Sequence, residues 1–137
     1  MEQTLALIKP DAVGQGCMGT ILQRIEKEGF HVRAMKMLRL SSKEAMAFYR
    51  VHEKKPFFES LVNFMSSGPL VALLLEKEDA IRHWRSVMGA TDHTQAAEGT
   101  LRRQLATALE RNVVHGSDAE DTAREEIAFF FSTREYI

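Results

Sequence analysis

Thr4-Leu5-Ala6-Leu7-Ile8 is a continuous apolar run ended by Lys9-Pro10-Asp11, the pattern of a buried strand that feeds a loop. Gly19 then opens a segment in which Ile21, Leu22 and Ile25 alternate with polar residues at helical spacing until Gly29 closes it. From His31 to Leu40, apolar Val32, Ala34, Met35, Met37, Leu38 and Leu40 stand among basic neighbours, as in a half-exposed second strand. Strand, helix and strand are thus set out in the first forty residues.

Downstream, Ser41 or Ser42 followed by Glu44 signals a helix start, and the helix continues from Ala45 to Val51. Pro56 interrupts; Phe57, Phe58, Leu61, Val62, Phe64 and Met65 then recur at helical spacing up to Gly68-Pro69, which predicts a helical pair. Leu70 to Leu75 reads as a third strand, and Glu78 to Val87 as a helix exposing Arg82 and Arg85. Met88 to Glu98 has no period, and loops of that length inside domains are usually functional. Thr100 to Leu109 resumes helical character, Val113-Val114 is a brief fourth strand, and Ser117-Asp118 is positioned to cap a last helix through Phe131. This order fits an α+β, ferredoxin-like split βαβ sandwich, a four-stranded antiparallel sheet with an inserted helical hairpin, better than a series of βαβ crossovers.

The 137 residues are enough for one ordinary core, and no linker, repeat or low-complexity segment divides them, so a single domain over residues 1–137 is expected. With 45% hydrophobic and 27% charged residues, the chain is far from the composition of disorder. Eighteen Lys+Arg against nineteen Asp+Glu leave a net charge of -1, so no bulk field draws the molecule to nucleic acid or to an anionic membrane. An anionic ligand must be held by cations converging locally. The single cysteine, Cys17, has no internal disulfide partner. The four apolar residues Leu5 to Ile8 are too few for a signal-peptide core, and no run approaches membrane-spanning length. A soluble cytoplasmic protein is expected.

Gly14-Gln15-Gly16-Cys17-Met18-Gly19 matches the G-x-G-x-x-G dinucleotide fingerprint letter for letter. The match fails on context: Lys9 to Val13 separate it from the strand, and no carboxylate stands at Lys36 to Leu40, where a ribose-binding acid would be needed. A turn ahead of a helix is the simpler reading.

Among the histidines, His31, His83 and His93 have no partner at useful spacing, and no pairing marks a metal site. His115 differs. It ends the short strand of Asn112-Val113-Val114-His115-Gly116-Ser117-Asp118, directly before a glycine. A neutral imidazole has one ring nitrogen with a free lone pair that can attack phosphorus without a separate base, while its other nitrogen needs an acceptor. Glu126 on the last helix could supply one. A polyphosphate of about four negative charges needs several cations, since each pair at 4 Å contributes only about 1 kcal/mol in water. Lys9, Arg85 and Arg102 stand clear of carboxylate partners in the sequence and are candidates.

Taken together, Thr4 to Val13, Phe48-Tyr49 with His52, Lys55-Pro56-Phe57-Phe58, Ser67-Gly68-Pro69, Met88-Gly89-Ala90-Thr91, Gly99-Thr100-Leu101-Arg102 and Asn112 to Asp118 resemble the nucleoside diphosphate kinases, in order and over nearly the whole chain. The resemblance implies ping-pong transfer of a γ-phosphate from a nucleoside triphosphate to a nucleoside diphosphate through a phosphohistidine, with Mg2+ held mainly by the nucleotide. It implies that His115 is the nucleophile, that Glu126 orients it with Ser117 beside it, and that Tyr49 lies near the reacting phosphate. By the same resemblance Lys9 and Asn112 hold the ribose hydroxyls and terminal phosphate region. His52, Arg85, Thr91 and Arg102 bind phosphates, and Phe57 with Leu61 forms the base platform. Stacking on Phe57 engages a face that every base has, so broad base tolerance is expected. The family also implies a homo-oligomer, a tetramer or hexamer built from dimers.

The chain departs from the family pattern at Asp92-His93-Thr94 and Glu98, which stand where prolines are common, and at Gln15, which replaces a frequent basic residue. A more mobile loop is expected from the lost prolines. A competing reading, a nucleotide-binding regulator without catalysis, would keep the cleft and lose the phosphoenzyme.

Overall fold

The computed structural model describes all of residues 1–137. Strands β1 (Glu2–Ile8), β2 (His31–Leu38), β3 (Leu70–Lys77) and β4 (Val114–Gly116) form one sheet in the order β2-β3-β1-β4, with every neighbouring pair antiparallel. Because β3 lies between β1 and β2, those two strands run parallel without touching, which is the split βαβ arrangement expected from the sequence.

Both central strands are apolar without alternation because both of their faces are covered. On β3, Val71, Leu73 and Leu75 enter one core cluster, and Leu70, Ala72 and Leu74 enter the other. On β1, Ala6 and Ile8 join the first cluster, and Leu5 and Leu7 the second. Period two, applied to a strand buried on both sides, produces the unbroken runs seen in the sequence. At the edge, β2 is different: it carries a bulge between Val32 and Ala34 and leaves Met35 and Met37 exposed.

The helices are α1 (Pro10–Gly14), α2 (Met18–Lys27), α3 (Ser42–Phe48), α4 (Phe58–Met65), α5 (Ala80–Met88), α6 (Leu101–Leu105) and α7 (Glu120–Phe130). The hairpin of α3 and α4 is started by Ser41, whose hydroxyl accepts from the Glu44 amide at 3.1 Å while Glu44 accepts from the Ser41 amide at 2.8 Å. Its tip is a 3-10 turn over Arg50–His52.

Four local expectations change. Lys9-Pro10-Asp11 starts a helix instead of a loop, because Pro10 takes the first helical position, where a missing N–H costs nothing and its fixed φ fits. The helix after Thr100 stops at Leu105 and does not continue to Leu109. Ser117-Asp118 does not cap the last helix; the Thr122 hydroxyl accepts from the Ala119 amide at 3.0 Å, which frees Ser117 for another bond. His83 has a partner after all, the Glu28 carboxylate at 3.0 Å.

Candidate active site

The end of β1 and the start of β4 are fastened to each other through an unusual turn. Val113 has φ 65°, a conformation that β-branched residues avoid, and the Val114 amide donates to the Asn112 carbonyl at 2.8 Å around it. This is a γ-turn of the rare positive-φ kind, costing on the order of 1–3 kcal/mol. Its surroundings hold it there. The Val113 carbonyl accepts from the Lys9 amide at 2.8 Å, and the Val113 amide donates to Asp11 Oδ2 at 3.1 Å. Arg102 reaches the carbonyls on either side, donating to Asn112 at 3.3 Å and to Val114 at 2.8 Å, and to Gly89 at 3.0 Å. One buried guanidinium thereby ties together the turn, α6 and the loop after α5.

Two residues beyond the strained valine, His115 pairs opposite Leu7 in the sheet. Its Nε2 lies 2.9 Å from Glu126 Oε1, and the Ser117 hydroxyl donates to the same oxygen at 2.9 Å. Ser117 in turn accepts from the Leu5 amide at 3.2 Å. An ionised carboxylate only accepts, so the bond places the ring proton on Nε2 and leaves the Nδ1 lone pair free. Phe48 and Tyr49 meet the ring edge-on at centroid distances of 5.5 and 6.4 Å, and the Trp84 indole donates to the His115 carbonyl at 3.1 Å. Gly116 must be glycine at this place, because an added Cβ would fall 2.5 Å from Trp84 Cδ1. The side chains of His115 and Glu126 are 19% and 21% exposed: the ring is held, yet reachable from solvent.

His115 opens onto a cleft of about 420 Å³. Lys9 and Asn112 line it, joined by a 2.7 Å bond from Lys9 Nζ to Asn112 Oδ1; Asn112 is itself oriented by donating to the Leu109 carbonyl at 3.0 Å. Arg85, Thr91 and Arg102 contribute further lining, as do Tyr49, His52, Phe57 and Leu61. Glu126 and Ser117 hold the histidine through these bonds without lining the cleft. Each site residue named from the sequence therefore lies in this cleft or belongs to the chain of bonds, Glu126 and behind it Ser117, that holds the histidine facing it. Sequence reasoning missed Met88, Leu109, Glu110, Gly116 and Asp118 in the lining, and Asp11 beneath it. Asp11, Met88, Gly116 and Asp118 stand inside the quoted motifs, whereas Leu109 and Glu110 left no signal. A larger cavity of about 630 Å³, between Glu2, Asp79, Glu120 and Arg124, contains no histidine and no converging cations.

Burial tunes the charges. Lys9 is pushed down to about 8 by desolvation first and by Arg102 second, against the opposing pull of Asp11 and Glu110. Arg102 is pushed down to about 10 by burial and by Arg85, which still leaves it a cation at neutral pH. Burial raises the Asp11 carboxyl against the pull of Lys9 and the Val113 amide, and burial with Glu126 raises the Tyr49 phenol, whose hydroxyl is enclosed without a partner. Arg85 departs from the expectation of a cation free of carboxylates: it is paired with Asp118. At 50% and 79% side-chain exposure, such a pair is worth about 0–1 kcal/mol and yields readily to a stronger anion.

The family model described as Nucleoside diphosphate kinase matches residues 2–136. The chain belongs to the nucleoside diphosphate kinase family. It is similar to the nucleoside diphosphate kinase of Desulfosudis oleivorans, with 56% identity over 98% of this chain and 97% of the relative. The solved nucleoside diphosphate kinase of Aquifex aeolicus superimposes with a TM-score of 0.98 at 45% identity, covering 99% of both chains. That of Halobacterium salinarum, solved in complex with CDP, gives 0.96 at 42% identity, over 99% of this chain and 91% of that one. As a family member the protein is a phosphotransferase that moves phosphate between nucleotides. The three cations that line the cleft with His115 are of the kind that such anionic substrates require.

Proposed function

We propose that this chain exchanges the terminal phosphoryl group between nucleoside triphosphates and diphosphates through a phosphohistidine on His115. The observation that carries the reading is an imidazole fastened by Nε2 to Glu126, with Nδ1 free in a cleft lined by Lys9, Arg85 and Arg102. Nδ1 attacks the terminal phosphorus, an N–P bond forms as the bond to the bridging oxygen breaks, and the diphosphate leaves with that electron pair. A second diphosphate reverses the step. Glu126 offsets the positive charge that the ring gains, and Ser117 keeps that carboxylate in place.

Lys9 uses one of its three donors on Asn112, and Arg102 uses three of its five on backbone carbonyls, so both retain N–H groups for phosphate and ribose oxygens. His52, Arg85 and Thr91 complete the phosphate set, and the enclosed Tyr49 hydroxyl is a donor beside the reacting group. Phe57, 46% exposed, offers its face together with Leu61 as a platform for any base, while Phe58 packs against the core instead. No three acidic, histidine or cysteine side chains converge on a metal position. A divalent cation, Mg2+ in our reading, would be held mainly by the nucleotide's own phosphate oxygens, with Asp118, once Arg85 turns to phosphate, as the protein carboxylate on that side of the cleft. When bound, it neutralises part of the phosphate charge.

The test is chemical. Incubation with γ-labelled ATP is expected to give a phosphoenzyme that is labile in acid, stable in alkali and discharged by any nucleoside diphosphate. Absence of label, or an acid-stable label, overturns the mechanism.

Lys9 adds a pH signature. With its folded value near 8 and its ordinary value at 10.5, the buried charge costs stability below about pH 8, and that cost is relieved as pH rises between the two values. Phosphate affinity moves the opposite way, because neutralising Lys9 removes an attractive charge. kcat/KM for the triphosphate is expected to fall above about pH 8 and to flatten in Lys9→Arg; an unchanged wild-type profile to pH 10 would contradict this.

Residues 1–137 acting as one domain, a cytoplasmic location and a homo-oligomer, a tetramer or hexamer built from dimers, belong to the same proposal. No helix is long and apolar enough to cross a membrane. The exposed edge of β2, with Met35 and Met37 about half exposed, is a surface that self-association would cover.

A further inference from the structure

Glu110 lines the outer part of the cleft together with Phe57, Leu61 and Leu109. The Ser60 hydroxyl, one residue before Leu61 on α4, donates to Glu110 Oε1 at 2.9 Å and is the only hydrogen-bond partner of that carboxylate. A carboxylate oxygen accepts two hydrogen bonds, so Oε2 and one position on Oε1 remain open. The other carboxylate lining the cleft, Asp118, is already committed to Arg85. At the apolar end, then, the free polar capacity is a single anchored group that only accepts.

We infer that Glu110 reads the edge of the nucleobase and gives an otherwise tolerant platform a preference for guanine. The inference rests on the reading that the base lies on Phe57 and Leu61. A ring stacked there has its faces occupied by apolar side chains, and only its edge meets polar groups. Guanine presents two adjacent donors, N1–H and the N2 amine, which match the two oxygens of a carboxylate. Adenine and cytosine present one amine. Uracil and thymine present an N–H between two carbonyls, which a carboxylate repels. The expected order is guanine first, adenine and cytosine next, uracil and thymine last. Bidentate recognition at a partly wetted rim corresponds to about tenfold between the extremes.

The preference can be measured without turnover. Calorimetric titration of His115→Ala with GDP, IDP and UDP reads base affinity in a protein that cannot be phosphorylated at that site. The GDP:UDP affinity ratio is expected to be about ten, with IDP, which lacks the N2 amine, between the two. Adding Glu110→Gln is expected to bring all three to within about twofold, and Ser60→Ala is expected to reduce the ratio partially by releasing the anchor. A role confined to clasping α4 would instead weaken all three nucleotides by one common factor. Phe57→Ala separates the premise from the inference. If it leaves every affinity unchanged, the base does not lie on Phe57 and the placement itself fails. If it weakens all three by a common factor while the parent shows no GDP preference, or Glu110→Gln leaves the parent's ratios unchanged, the reading of the base edge by Glu110 is overturned and the placement of the base stands.

Discussion

His115→Ala is expected to lower turnover by roughly 10⁴-fold or more while leaving the fold intact. The chemistry has no substitute nucleophile: the nearby Ser117 hydroxyl spends its proton on Glu126 and does not line the cleft. The structural loss is small. The ring contributes one hydrogen bond to Glu126 and edge contacts to Phe48 and Tyr49, whereas the Trp84 bond goes to the backbone carbonyl and survives the substitution. Glu126 keeps Ser117 as a donor and regains water, so a stability cost of about 1–2 kcal/mol is expected. Steady-state assay beside a thermal melt checks both halves. Normal turnover would remove His115 from the mechanism, whereas loss of activity accompanied by unfolding would show the ring to be a structural support.

What could be read from the residues divides along physical lines. β1 and β3 were legible because strands buried on both faces must be apolar throughout, and Leu5 to Ile8 and Leu70 to Leu75 have no other use at that length. The hairpin start was legible because Ser41 and Glu44 satisfy each other's backbone groups locally. Pro10 was misread because proline both breaks and begins helices, and only the preceding extended residue, Lys9, decides which. Ser117 looked like a helix cap because local spacing cannot show that its hydroxyl is claimed from 112 positions away, by the Leu5 amide. Most opaque was the turn at Val113. Local propensity argues against positive φ at a β-branched residue, and the groups that enforce it, Asp11, the Lys9 amide and Arg102, arrive from other elements. The site's chemistry could be carried over from family motifs. Its mechanical support could not, since it rests on long-range bonds to backbone carbonyls, which leave no side-chain pattern in the sequence.

That support makes Arg102 the residue whose loss should cost the most stability. In Arg102→Ala three carbonyls, on Gly89, Asn112 and Val114, lose a charged donor, and two of them flank the strained turn that aims His115. Each hydrogen bond to the guanidinium is worth about 1.5–3 kcal/mol, but the Asn112 carbonyl keeps the Val114 amide and solvent entering the space left by the side chain recovers part of the rest, so a net destabilisation of about 3–5 kcal/mol is expected. Removing Arg102 also removes the second-largest influence depressing Lys9, whose pKa should therefore rise from about 8. Arg102→Lys separates the two duties. Lysine restores a cation for phosphate but has no planar fork with which to span three carbonyls, so binding should recover further than stability. Denaturant titration of the wild type and both variants, together with nucleotide affinity, measures the division. If Arg102→Lys regains full stability, charge alone holds the turn, and the clamp of three directed bonds is not what keeps Val113 in its strained conformation.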